Sequence, residues 1–133
     1  MPARRSERAC RAVVPAWLCL LLLIAPATIR AEDGIAHIVI IWLNEPGNAE
    51  HRTRVLEASR VLAAIPGVTG LQGGRVVASE RAIVDDSFDV GLVIELENRA
   101  ALDAYLAHPL HRQLVNETLK PLVKRIQVYD LRR

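Results

Sequence analysis

Cysteine is scarce in this 133-residue chain, and both copies, Cys10 and Cys19, lie near its start. Beyond Cys19 no disulfide can form and no thiolate nucleophile is on offer. A domain built from that part must be stabilised by its core or by oligomerisation. Long apolar runs are also scarce. The one present, Ala12–Ala27, is shorter than the ~20 residues a spanning helix needs, and Pro15 interrupts it. There is no internal repeat and no low-complexity segment, so a single domain is expected.

The apolar run follows Arg4, Arg5, Arg8 and Arg11. A basic front, a short apolar stretch and small residues after it make a secretory signal. Ala25-Pro26-Ala27 and Ile29-Arg30-Ala31 both offer residues a signal peptidase reads. Cleavage after Ala31 is favoured over Ala27, because polar Glu32-Asp33-Gly34 follows at once. The expected division is therefore a signal peptide at 1–31 and one domain at 32–133, exported to the periplasm or secreted. The alternative is an uncleaved N-terminal membrane anchor.

Removing the signal inverts the charge. The whole chain is +2, with 17 basic and 15 acidic residues. Residues 1–31 hold five of the basic ones and one of the acidic ones, which leaves 12 against 14, or −2. No basic patch argues for nucleic acid or for an anionic membrane as a partner.

The remainder reads as β-α-β-β-α-β. Ala36–Leu43 is short, β-branched and apolar, hence a strand, and its lack of alternation means both faces are covered. Asn48 caps a helix in which Val55, Ala58, Leu62 and Ile65 share a face, and Pro66-Gly67 stops it. Val68–Ser79 is a second strand, with a bulge or bend expected at Gly73-Gly74. Phe88–Leu96 is the third, with Phe88, Val90, Leu92, Ile94 and Leu96 on one face. Asn98 caps a helix ending near Ala107, before His108-Pro109. Pro109 opens another, through Leu119, which Pro121 ends. Arg125–Asp130 is the last strand. This is the ferredoxin-like α+β order: an antiparallel four-stranded sheet with helices on one face. The other face keeps apolar residues such as Val93, and a second copy of the chain is the simplest cover.

Chemistry centres on the histidines. His51 lies among charged residues and reads as a surface group. Tyr105-x-x-His108-Pro109-x-His111 differs, because a proline-broken corner can aim imidazoles and a phenol into one cavity. Imidazole exchanges protons near neutrality, and a phenol can donate to a developing oxyanion. His37, at the start of the first strand, can face the same space. Structural roles compete at each position: His108 as a helix cap, Tyr105 as core, His37 and His111 as hydrogen-bonded pairs. No metal site is expected, since a His-x-x-His pair lacks a third ligand. Asp85-Asp86-Ser87-Phe88-Asp89 reads as turn chemistry before a strand, and Asn116-Glu117-Thr118 is a formal glycosylation sequon.

Several of these segments together resemble the stress-responsive A/B barrel (Dabb) family. They are His37-x-Val39-x-Ile41, Ile65-Pro66-Gly67-Val68, Ser87–Val93 and Ala101-Leu102-x-x-Tyr105-x-x-His108-Pro109-x-His111. The likeness runs from about Ile35 to Arg132. It implies a ferredoxin-like protomer that dimerises into an α/β barrel. It implies no single activity, because many members have no known reaction. One plant member, a polyketide cyclase, uses a strand-one histidine, a tyrosine and the histidine after a His-Pro pair. Those catalytic roles would fall on His37, Tyr105 and His111. The reading is thus an exported homodimer that binds a small molecule or serves in stress without catalysis. The alternative is a cofactor-free lyase or polyketide-cyclase-like enzyme. No cofactor motif is present, and no cofactor is expected.

Overall fold

A computed structural model describes residues 34–133, so the signal read at 1–31 lies outside the described residues. Strand β1 (Ile35–Leu43) leads to helix α1 (Ala49–Ser59), which tightens into a 3₁₀ turn at Arg60–Ala64. Strands β2 (Val68–Arg75) and β3 (Val90–Leu96) follow, then helices α2 (Arg99–Ala107) and α3 (Pro109–Leu114). A π turn (Val115–Leu119) carries α3 into a last helical turn, α4 (Lys120–Leu122), before strand β4 (Val123–Arg132). The sheet order is β2-β3-β1-β4 and every neighbouring pair is antiparallel. This is the ferredoxin-like fold.

Strand alternation puts the core on one side. Ile35, His37, Val39, Ile41 and Leu43 are buried under the helices, while Ile38, Ile40 and Trp42 on the other face stay half-buried. Val90, Leu92, Ile94 and Leu96 repeat the pattern on β3. From above, Val55, Leu62 and Ile65 meet them, as the helical spacing predicts, together with Leu102, Tyr105, Leu114, Leu119 and Leu122. Asn48 and Asn98 cap α1 and α2 through their side-chain oxygens, which accept from His51 N and Ala101 N. Gly67 turns the chain at φ +86°, where a Cβ would sit 2.7 Å from that of Ala101. No other residue type fits there.

The structure departs from the sequence reading at several places, among them β4, which runs two residues further at each end than Arg125–Asp130. The register shift in β2 falls between Val68 and Gly70, and the Gly73-Gly74 pair is regular. Gly73 is needed for close approach instead: a Cβ there would meet the methyls of Leu92 at 2.8 Å and Leu56 at 3.0 Å. Strand β2 ends at Arg75 and β3 begins only at Val90; the Asp89 backbone still bonds Ile41 and Val76, while its carboxylate takes the N–H groups of Leu43 and of Gly47 in the loop after β1. Phe88 consequently lies on the open face of the sheet, against Trp42 and over Gly91, opposite to the expected side. Pro121 does not stop its helix at Leu119 but sits in α4. The π turn opens the coil where a proline ring would otherwise crowd the preceding carbonyls.

Candidate functional site

A cavity of about 200 Å³ opens between the sheet and the α2–α3 corner. Its floor is His37 and Val39 of β1, Leu92 and Ile94 of β3, and Ile126 and Val128 of β4. Its roof is Tyr105, Leu106, His111, Leu114, Val115 and Leu119, with Leu62 at one end. All three sequence-predicted residues therefore share one space, and its remaining walls are aliphatic. Ile126 (41% exposed) and Val128 (40%) face inward yet stay open to solvent, because β4 is an edge strand. They mark the mouth.

Each polar group is positioned by the fold. His37 is an inward residue of β1 and lies opposite Asp130 of β4. Its Nδ1 donates to Asp130 Oδ1 at 2.6 Å. A carboxylate only accepts, so that bond fixes the tautomer and leaves Nε2 to accept a proton. Tyr105 comes from the inner face of α2 and is buried, and burial alone raises its phenol well above the ordinary range. It is therefore a neutral donor at neutral pH. Its ring touches both imidazoles, with centroids 5.6 Å from His37 and 4.8 Å from His111.

His111 follows the proline corner. Burial lowers its pKa most and the electrostatic influence of the neighbouring His37 ring lowers it further, while a backbone hydrogen bond to Leu106 opposes them. Its Nδ1 is buried with no partner among the described residues. The environment of His111 thus disfavours its charged form, and Nδ1 offers a buried nitrogen with no partner among the described residues.

The remaining histidines stand apart from this site. His108 has β-region backbone, as a residue before proline should, and its Nδ1 accepts from Leu110 N at 3.2 Å. It caps α3, one of the roles weighed for it. His51 is half-buried rather than a plain surface group. No cluster of metal-ligating side chains occurs among the described residues. The acidic segment is turn chemistry: Asp85 and Asp86 accept from the backbone N–H groups of Ser87 and Ser79.

Sequence reasoning missed Asp130. Its signal was present, since Ile126, Val128 and Asp130 share one face by alternation. What the sequence lacks is the cross-strand register that sets Asp130 opposite His37.

The comparisons agree with this architecture. A protein of described Dabb family and ferredoxin-like fold from Mesorhizobium loti is 27% identical, with a TM-score of 0.62 over 75% of this chain and 96% of its own. A dimeric ferredoxin-like protein of unknown function from Thermobifida fusca is 23% identical, with a TM-score of 0.63 over 77% and 92%. A hydroxynitrile lyase from Passiflora edulis is 13% identical, with a TM-score of 0.65 over 76% and 94%. The last two show likeness of fold alone. No curated protein sequence matches the chain. The model of the Stress responsive A/B Barrel Domain matches residues 35–132, nearly all of the described fold, and the chain belongs to that Dabb family.

Proposed function

We propose that this protein is an exported homodimer whose protomers each bind a small, mostly apolar molecule through one polar oxygen. One observation carries the reading: an aliphatic cavity of about 200 Å³ whose polar lining is His37, Tyr105 and His111 alone. Such a site favours an apolar body and rewards a single carbonyl or hydroxyl near the phenol. Titration with simple alkyl and aryl methyl ketones, followed by NMR shifts, tests it. Tyr105→Phe, which removes only the donor, is expected to weaken binding about tenfold. Val128→Trp, which fills the mouth, is expected to abolish it. Binding that ignores both changes, or no binding at millimolar ketone, would sink the reading.

The His37–Asp130 pair supports a second reading, cofactor-free proton transfer of a lyase or cyclase type. In it His37 Nε2 removes a proton next to a carbonyl, and Tyr105 donates to the resulting enolate oxygen. Exchange of the ketone's α-protons for deuterium separates the two. Catalysis predicts protein-dependent exchange that Asp130→Asn slows at least tenfold with ketone binding retained. Simple binding predicts no exchange above the buffer rate.

Export rests on the sequence of residues 1–31, and its test is the mass of the protein recovered from its native host. The chain is expected to begin at Glu32. A start at Thr28 would move the cleavage to Ala27, and an intact leader in the membrane fraction would replace export with an anchor.

Assembly rests on the open face of the sheet. Ile38, Ile40 and Trp42 of β1, Val93 of β3, and Tyr129 and Leu131 of β4 line it, the last two more than half exposed. Relatives of the same fold from Thermobifida fusca, Bacteroides fragilis and Jannaschia are described as dimeric. A second copy laid on this face would cover a patch too apolar to remain wet.

A further inference from the structure

We propose that the segment joining β2 to β3, residues 76–89, is an arm that grips the second copy of the chain. The proposal rests on the dimer reading above and adds where one protomer reaches onto the other. The arm leaves the sheet after the Val76 N–H bonds Asp89 O at 3.3 Å. From there to Asp86 its hydrogen bonds are its own. Ser79 N donates to Asp86 Oδ2 at 2.9 Å, Val84 N to Arg81 O at 2.9 Å, and Ser87 N to Asp85 Oδ1 at 3.0 Å. A segment shaped by its own turns meets a partner with little ordering left to do.

Its apolar residues have no cover within the protomer. Ile83 is 92% exposed and Val77 80%, the two highest values among the exposed large hydrophobics. Both are carried on one segment, Ile83 in its turn and Val77 near its start. The occupant follows from where the arm is rooted. Trp42 Nε1 donates to Ser87 Oγ at 3.0 Å, and the Trp42 and Phe88 rings meet edge-on at 6.4 Å. Phe88 Cε2 lies 3.7 Å from where a Gly91 side chain would begin, so the arm's base lies on the open sheet face. That is the face assigned to the second copy, and the arm rises from its rim. The arm that carries the apolar tip is thus rooted on the proposed dimer interface.

Sedimentation of the purified protein tests this. Ile83→Asp is expected to raise the dimer dissociation constant about tenfold or more, and Ile83→Val to leave it near wild type. Because Ile83 is exposed, neither change should alter the circular dichroism of the protein. A photo-crosslinking amino acid at position 83 should give a covalent dimer joined to the partner. A wild-type dimer that Ile83→Asp leaves unchanged, or a crosslink confined to one protomer, would overturn the arm while leaving the dimer standing. A wild-type monomer would overturn both.

Discussion

Replacing Asp89 with alanine is expected to lower the free energy of unfolding by about 2–4 kcal/mol, read from urea denaturation. Asp89 is 4% exposed and carries no catalytic argument; its work is in the backbone. Oδ2 accepts from Leu43 N at 2.9 Å and Oδ1 from Gly47 N at 2.6 Å, while its own N–H bonds Ile41 O at 2.9 Å. The β1–β3 ladder ends at Ile41 opposite Val90, and beyond it the Asp89 carboxylate takes the Leu43 N–H. Alanine keeps the bond to Ile41 but strands the buried Leu43 N–H and removes the charged acceptor of the exposed Gly47 N–H, and a buried donor without an acceptor costs about 1–3 kcal/mol. Asp89→Asn should fall between, because an amide retains one acceptor oxygen and turns donors toward a donor. Asp86 also accepts a backbone N–H, from Ser79, but in an exposed turn where water can replace it. Asp86→Ala should change stability by less than about 0.5 kcal/mol. An Asp89→Ala loss of that small size would mean that solvent reaches Leu43 N.

Asp89 also shows which parts of the molecule a sequence discloses. In the sequence it reads as one more acidic residue of a turn before a strand. Only the tertiary fold sets the β1–α1 loop beside it and makes the carboxylate worth burying. Asp130 was lost for a related reason: the parity of β4 was legible, the cross-strand register was not. His37, Tyr105 and His111 were legible because local rules place them. Strand parity turns His37 with Val39 and Ile41, helical spacing aligns Leu102 with Tyr105, and a proline corner redirects the chain before His111. Element order was readable from the same periodicities. Ends were harder, as Pro121 and the Gly73-Gly74 pair illustrate. Each residue type has two uses, breaking an element or fitting a tight place within it, and neighbouring elements decide between them.

In the proposed dimer, Val93→Glu is expected to give a folded monomer, raising the dissociation constant at least about a hundredfold. Val93 lies on β3, an interior strand, opposite Ile38 of β1 and Gln72 of β2. Ile38 is in turn opposite Tyr129 of β4, so Val93 stands near the middle of the open face. A glutamate at the middle of a closed interface must lose its hydration with no partner placed to receive it, which costs several kcal/mol. The contrast with Glu95 is instructive. It lies two residues along the same face and is tolerated, because it sits toward the end of the sheet and pairs with Arg133 at 3.2 Å. Within a protomer Val93 is only half-buried, so the substitution should cost the monomer about 1 kcal/mol or less. Dissociation and unfolding are therefore separable. Light scattering should report half the wild-type mass while circular dichroism keeps its shape. Wild-type thermal unfolding should shift upward with protein concentration, as it must when assembly stabilises the fold, and the variant's should not. A Val93→Glu protein that remains dimeric with wild-type affinity would place the partner on another surface. The apolar residues of this face would then need a different cover.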